Sequence, residues 1–161
     1  PAVVALGVPL YMQLSTIKKQ LTPILLCEFI GCVVGIVSVV YIAKAMGASR
    51  EVILSLASKS VTTPIAMEVT KSIGGIPPLT AAVVVCVGLM CAVCGYRTMG
   101  FARVKSPVAQ GLSMGTAAHA VGTATAMEKS PVHGAYASLG LTLNGILTSL
   151  LTPSIIPLLG V

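Results

Sequence analysis

Charge is what this sequence has least of. Only 9% of its 161 residues are charged, against 55% that are hydrophobic, where a soluble domain carries about 25% charged residues. That scarcity excludes a water-soluble globular protein. Trp is absent and Phe occurs twice, so stacking platforms for nucleic-acid bases are missing. The net charge of +6 is dispersed through short segments, which argues against a nucleic-acid partner and fits orientation in a bilayer with some attraction to anionic lipid. The period-2 alternation of barrel strands is also missing. The opening PAVVALGVPLYMQ has neither the charged region nor the small-residue cleavage site of a signal peptide. It reads as the second half of a helix that begins before residue 1.

What is present is apolar length. Three runs, Pro23 to Met46, Pro78 to Tyr96 and Gly134 to Leu159, each hold about the 20 residues that cross a ~30 Å hydrocarbon core. All three are expected to be transmembrane helices, because in lipid only helices and closed barrels satisfy the backbone. Glu28 and Lys44 fall within about a turn or two of the ends of the first run, where snorkelling is cheap. The five cysteines, Cys27, Cys32, Cys86, Cys91 and Cys94, all lie in these runs and read as small packing residues. CAVC at 91–94 has no second pair and no nearby His, so no metal or cofactor is expected.

Between the runs stand two polar segments that repeat. At an offset of sixty, VTTPIAME (61–68) and VGTATAME (121–128) agree at five of eight positions. Each follows a long helix and precedes a Pro/Gly break, GGIPP at 74–78 and KSPVHG at 129–134. Gly88 pairs with Gly145 at nearly the same offset. The chain thus reads as one transmembrane domain, 1–161, with repeat one about 22–76, repeat two about 77–132 and a final helix 134–159.

Each polar segment, 49–72 and 106–129, is about 24 residues long, which permits a broken spanning helix or a re-entrant hairpin. An arm of about 11 residues, at a rise of 1.5 Å, reaches only half-way across. Charge favours the hairpins. With two hairpins, Lys18, Lys19, Arg97, Arg103, Lys105 and Lys129 share one side against Lys44, Arg50 and Lys71, six to three; with two spans the split is four to five. Only the first shows the bias that orients membrane proteins. The fold class expected is an all-α integral membrane protein, a helix bundle with two inverted helix-plus-hairpin repeats like those of elevator transporters.

Irregular backbone at membrane depth must line a cavity or be buried in protein. Thr62, Thr63 and Pro64 in the first copy, and Gly122, Thr123 and Thr125 in the second, are suited to such breaks. Pro64 would start an arm whose free N–H groups face the bilayer centre. Lys59 and His119 are equivalent positions, and two cationic groups there suggest a small anion, plausibly a carboxylate, between the tips. Alternatively Lys59 faces Glu68, and His119 faces Glu128, in charge pairs, or a glutamate carries a coupling proton. The threonines either bind the ligand or cap freed backbone groups. Asn144 is either a ligand contact or interhelical glue, His133 is expected in water, and Gly31, Gly35, Gly88 and Gly145 are expected to let helices approach closely. Ser60 beside Lys59 resembles a nucleophile with its base but carries no recognisable catalytic motif, so no enzyme is expected.

Taken together, KSVTTPIAME, GGIPPLTA, SPVAQGLSMGTAAHAVGTA and the GILTSLL tail resemble the LrgB/CidB family of bacterial membrane proteins over essentially the whole chain. The resemblance implies a multi-pass protein of the bacterial cell membrane. Family members are described as holin/antiholin-like, acting with a smaller LrgA/CidA-type membrane partner on murein hydrolase activity and autolysis. Relatives include the plastidial glycolate/glycerate translocator, which implies carriage of glycolate-, glycerate- or pyruvate-like monocarboxylates, and a homo-oligomer is a further expectation. Two positions depart from the family pattern: Ser58 stands where Pro is common, and Thr125 stands where Arg is common. The second departure moves the weight of anion binding to Lys59.

Overall fold

The structure is a computed structural model that describes residues 11–161. The expectation for the opening segment falls largely on residues 1–10 and so lies outside the described residues. The described elements are all helices: α1 Leu14–Lys19, α2 Leu21–Ala45, α3 Arg50–Ala57, α4 Thr63–Ile73, α5 Pro77–Phe101, α6 Pro107–Lys129 and α7 Pro131–Leu158.

Among the described residues, three helices are long and apolar enough to cross a membrane: α2, α5 and α7. They coincide with the three apolar runs. Twenty-five residues, the length of α2 and α5, make a rod of about 37 Å, longer than the ~30 Å hydrocarbon core. Prolines open α5 and α7, where a missing N–H costs nothing. The second run is longer than expected, since α5 continues past Tyr96 to Phe101.

The first polar segment is a hairpin. Ser58 Oγ reaches Ala66 O at 3.1 Å and Thr70 Oγ1 at 3.0 Å, which requires α4 to run back along α3. A chain of hydroxyls fixes the pair. Thr70 Oγ1 meets Thr80 Oγ1 at 2.9 Å, Thr80 donates to Ser55 O at 2.9 Å, and the Ile76 N–H donates to Ser55 Oγ at 2.7 Å. Ser58, where a proline was noted as common, therefore supplies the hydroxyl that closes this hairpin.

The second polar segment folds back as well, although its helical hydrogen bonding is nearly continuous. His119, at φ 45° and ψ −138°, breaks α6 into two arms. Their packing runs antiparallel: Lys129 Nζ donates to Gln110 Oε1 at 3.0 Å, and Met114 shares a buried cluster with Ala126. Gly122 sits at the crossing, where a Cβ would lie 2.5 Å from Met114 O.

The hairpins enter from opposite ends of the bundle. At one end Ile53, Leu54 and Ala57 of α3 pack on Val40 and Ala43 of α2 and Ile156 of α7, and Lys44 Nζ donates to Leu159 O and Gly160 O at 2.6 and 3.1 Å. At the other end Leu112 of α6 packs on Ile24 and Tyr136. Lys18 and Lys19 close α1, Lys44 closes α2, Lys71 closes α4 and Lys129 closes α6.

Candidate functional site

The two tips meet half-way along α7. Asn144 is 2% exposed, and its Nδ2 donates to Ser60 O at 3.1 Å in the first tip and to Thr116 O at 2.9 Å beside the second. One side-chain amide thus satisfies a backbone carbonyl from each hairpin. In an apolar interior such carbonyls need partners. Thr148, one turn on, reaches Asn144 Oδ1 at 3.4 Å and Cys32 Sγ at 3.4 Å, which extends the polar seam to α2.

Beside this junction lies a cavity of about 330 Å³, at the small end of the ~300–1,000 Å³ typical of ligand sites. Its walls are α2 (Glu28, Gly31, Cys32 and Gly35), the first tip (Lys59 and Ser60), the first arm of α6 (Ser113 and Thr116) and α7 (Asn144 and Thr148). Lys59 stands in the turn between α3 and α4, and its Nζ donates to Ser60 Oγ at 3.1 Å. An ammonium has three donors, so this contact leaves it others to offer an anion.

Glu28 is the residue that sequence reasoning misplaced. Its place near the end of the apolar run predicts a carboxylate that snorkels, but it is 1% exposed and faces the cavity. Because α2 starts at Leu21, Glu28 lies seven residues in, about 10 Å along the axis, too deep to reach water. Thr116 Oγ1 donates to Glu28 Oε1 at 2.6 Å. Gly140 permits this contact, because a Cβ there would lie 3.1 Å from both Glu28 Oε1 and Thr116 Oγ1. Glu28 Oε2 is buried without a hydrogen-bond partner. One signal was available in the sequence: Glu28, Gly31, Cys32 and Gly35 recur at helical spacing and put one small, polar stripe on an otherwise apolar helix.

Equivalent positions in the repeat take inequivalent places in the fold. His119 lies outside the cavity lining that holds Lys59. It is 4% exposed, and its Nε2 meets Val84 O of α5 at 2.9 Å over Gly88, where a Cβ would come within 2.7 Å of the ring. It anchors the second tip to α5 and holds a backbone conformation that is uncommon outside glycine. Gly122 is buried against Met114 of its own hairpin and Thr123 between α6 and α7, with Thr123 Oγ1 donating to His119 O at 2.9 Å. Thr62 precedes α4 without a side-chain cap bond, and Thr63 begins it; both are half-buried and outside the cavity lining. Pro64 and Glu68 line a separate open groove with Val69 and Ser149. Glu68 and Glu128 are exposed, whereas Lys59 is half-buried and His119 buried, so the expected charge pairings give way to local hydrogen bonds. Thr125 Oγ1 donates to Val121 O of its own helix at 3.1 Å. His133, expected in water, is 7% exposed, held by Ser130 Oγ at 2.7 Å and Gln110 Oε1 at 3.1 Å.

Of the glycines expected at close helix contacts, Gly88 meets the His119 ring and Gly145 meets Ile65 at 3.3 Å, whereas Gly35 has open space beside it. The cavity gathers Lys59 and Asn144 from the predicted residues and adds Glu28, Thr116 and Thr148. Chemically it offers an ammonium, a carboxyl and a set of neutral donors around one small cavity.

Comparison with known proteins agrees with the motifs. The chain is 40% identical over 158 residues to an uncharacterized protein of Haemophilus influenzae, covering 98% of this chain and 68% of that one. It is 36% identical over 160 residues to the antiholin-like protein LrgB of Bacillus mycoides and to that of Bacillus cereus, in each case covering 99% of this chain and 70% of the relative. No solved structure matches it. The model of the LrgB-like family matches residues 1–158, and the chain belongs to that family.

Proposed function

We propose that this LrgB-family membrane protein is a secondary carrier of small organic anions, of the size of glycolate, glycerate or pyruvate, working by alternating access. The observation that carries the reading is the placement of Lys59. It is a half-buried cation lining the cavity beside Asn144, which joins the two hairpins, and a cation at membrane depth is costly without an anionic partner. Opposed hairpins around a mid-membrane site are a recurrent plan of carriers built from inverted repeats, and an inverted duplication is the simplest origin of the two copies. With the positive-inside bias, the end bearing six basic residues is cytoplasmic. The reaction is transport without chemistry, so we take the protein to be no enzyme.

A second reading is supported by the names of the Bacillus relatives, antiholin-like protein LrgB. On it, the protein antagonises or forms a membrane lesion with an LrgA/CidA-type partner or with further copies of itself. The apolar residues exposed on α2 and α5, among them Ile30, Val34, Leu89, Met90 and Val93, offer lipid or such a partner a surface.

Uptake of labelled glycolate, glycerate and pyruvate into liposomes containing the full-length protein separates the two. The carrier predicts saturable uptake of at least one of them, with neutral and cationic solutes of the same size excluded. A leak indifferent to charge would favour the lesion.

A further inference from the structure

Anion binding by Lys59 leaves Glu28 unexplained. A carboxyl group that is 1% exposed, with one oxygen engaged by Thr116 and the other unpartnered, is an expensive way to line an anion site. Of its neighbours in the cavity wall, the first tip contributes the charge of Lys59, and α2 contributes the thiols of Cys27 and Cys32. The walls from α6 and α7 present hydroxyls and the Asn144 amide, which do not titrate.

We infer that Glu28 is the coupling group of an anion–proton symporter, protonated whenever the anion occupies the cavity and ionised when the cavity is empty; this rests on the carrier reading. The reason is charge balance in a cavity at membrane depth. Empty, the chamber holds the Lys59 ammonium and the Glu28 carboxylate and is neutral. Loaded with a monocarboxylate, it regains neutrality only if Glu28 takes up a proton. The two remaining states, anion with ionised Glu28 and empty with protonated Glu28, each carry one uncompensated charge and are penalised at membrane depth. Only the neutral states interconvert between the two faces, so each anion crosses with one proton.

The proton balance is simple. Water on the side where the anion enters protonates Glu28 Oε2, the oxygen left free by Thr116, and Glu28 returns that proton to water on the other side as the anion leaves. No other bond is made or broken. The sequence had offered Glu68 and Glu128 for this role, but both are exposed.

Glu28→Gln tests the assignment, because the amide keeps an acceptor for Thr116 and fixes the group in its neutral state. In liposomes, labelled glycolate, glycerate and pyruvate are followed in two ways: net uptake driven by an inward acid gradient, and exchange against the same unlabelled anion inside. The E28Q protein loaded with anion is neutral and crosses, but emptied it retains the Lys59 charge and does not return. Expected, therefore, is exchange at the wild-type level, insensitive to pH, with net uptake lost. Net uptake by E28Q equal to wild type overturns the inference. So does a folded E28Q that has lost exchange as well, which would make Glu28 a binding residue. As a second readout, a pH indicator in weakly buffered detergent solution should register one proton taken up per anion bound by wild type and none by E28Q. Wild-type protein that neither accumulates nor exchanges any of the three anions refutes the carrier reading itself.

Discussion

Lys59→Ala is expected to abolish saturable anion uptake while leaving the protein folded. The side chain sits in the turn between α3 and α4, and its polar contact is to its own neighbour, Ser60. The hairpin is held instead by Ser58, Thr70, Thr80 and Ser55, so removing the ammonium spares the fold. For binding, the loss is that of a charge partner: truncating a buried one costs ~2–5 kcal/mol, and for half-buried Lys59 the lower end of that range, at tenfold per 1.4 kcal/mol, weakens affinity by roughly 30-fold. Lys59→Arg should recover only part of it, because a planar fork replaces a compact point charge in a small chamber. Concentration dependence of uptake, with thermal melting as a control on folding, measures both effects. A folded alanine variant with wild-type uptake would place the anion site elsewhere.

Asn144 is expected to give the largest loss of stability. Asn144→Ala removes the donor to Ser60 O and Thr116 O together, leaving a carbonyl of each hairpin without its partner. Hydrogen bonds between membrane helices average about 0.6 kcal/mol and reach about 1.7; two of them, with the space left behind, come to roughly 2–3 kcal/mol. Asn144→Asp should be worse than alanine despite its matching shape, because an ionised carboxylate brings two acceptors against two carbonyls and a second buried negative charge beside Glu28. Melting temperatures in detergent should therefore fall in the order wild type, alanine, aspartate. An aspartate variant as stable as wild type would mean that Asn144 does not join the tips.

The features that could be read from the sequence are those with a direct physical signature. Apolar length located α2, α5 and α7 to within a few residues, except that α5 runs on to Phe101. The fold-back of the two polar segments shows in side-chain hydrogen bonds such as Ser58 to Thr70 and Lys129 to Gln110; in the sequence, counting Lys and Arg favoured it, because turning a segment back changes which charges share a side. The site was less legible, for two reasons. Glu28 was placed by its distance from Pro23, but α2 begins earlier, at Leu21, and carries Glu28 too deep to snorkel. Lys59 and His119 were equated by alignment, yet a repeat fixes the backbone course of two copies and not what packs on each. In the second copy Gly88 leaves room for the imidazole against α5, so the ring turns away from the cavity. Asn144 was visible as a lone amide in an apolar helix, but that it spans both tips required the fold.

On the carrier reading, the cavity beside Asn144 holds the transported anion. Ala117 lines that chamber without a polar role, so a cysteine introduced there, in full-length protein whose native cysteines have been replaced, reports on the chamber directly. Membrane-impermeant thiol reagents would be applied in turn from each face of the liposome, with and without glycolate, glycerate or pyruvate. The account predicts labelling from both faces, reflecting alternation, and saturable protection by a transported anion but not by a neutral solute of equal size. Labelling from both faces that no anion slows would contradict it.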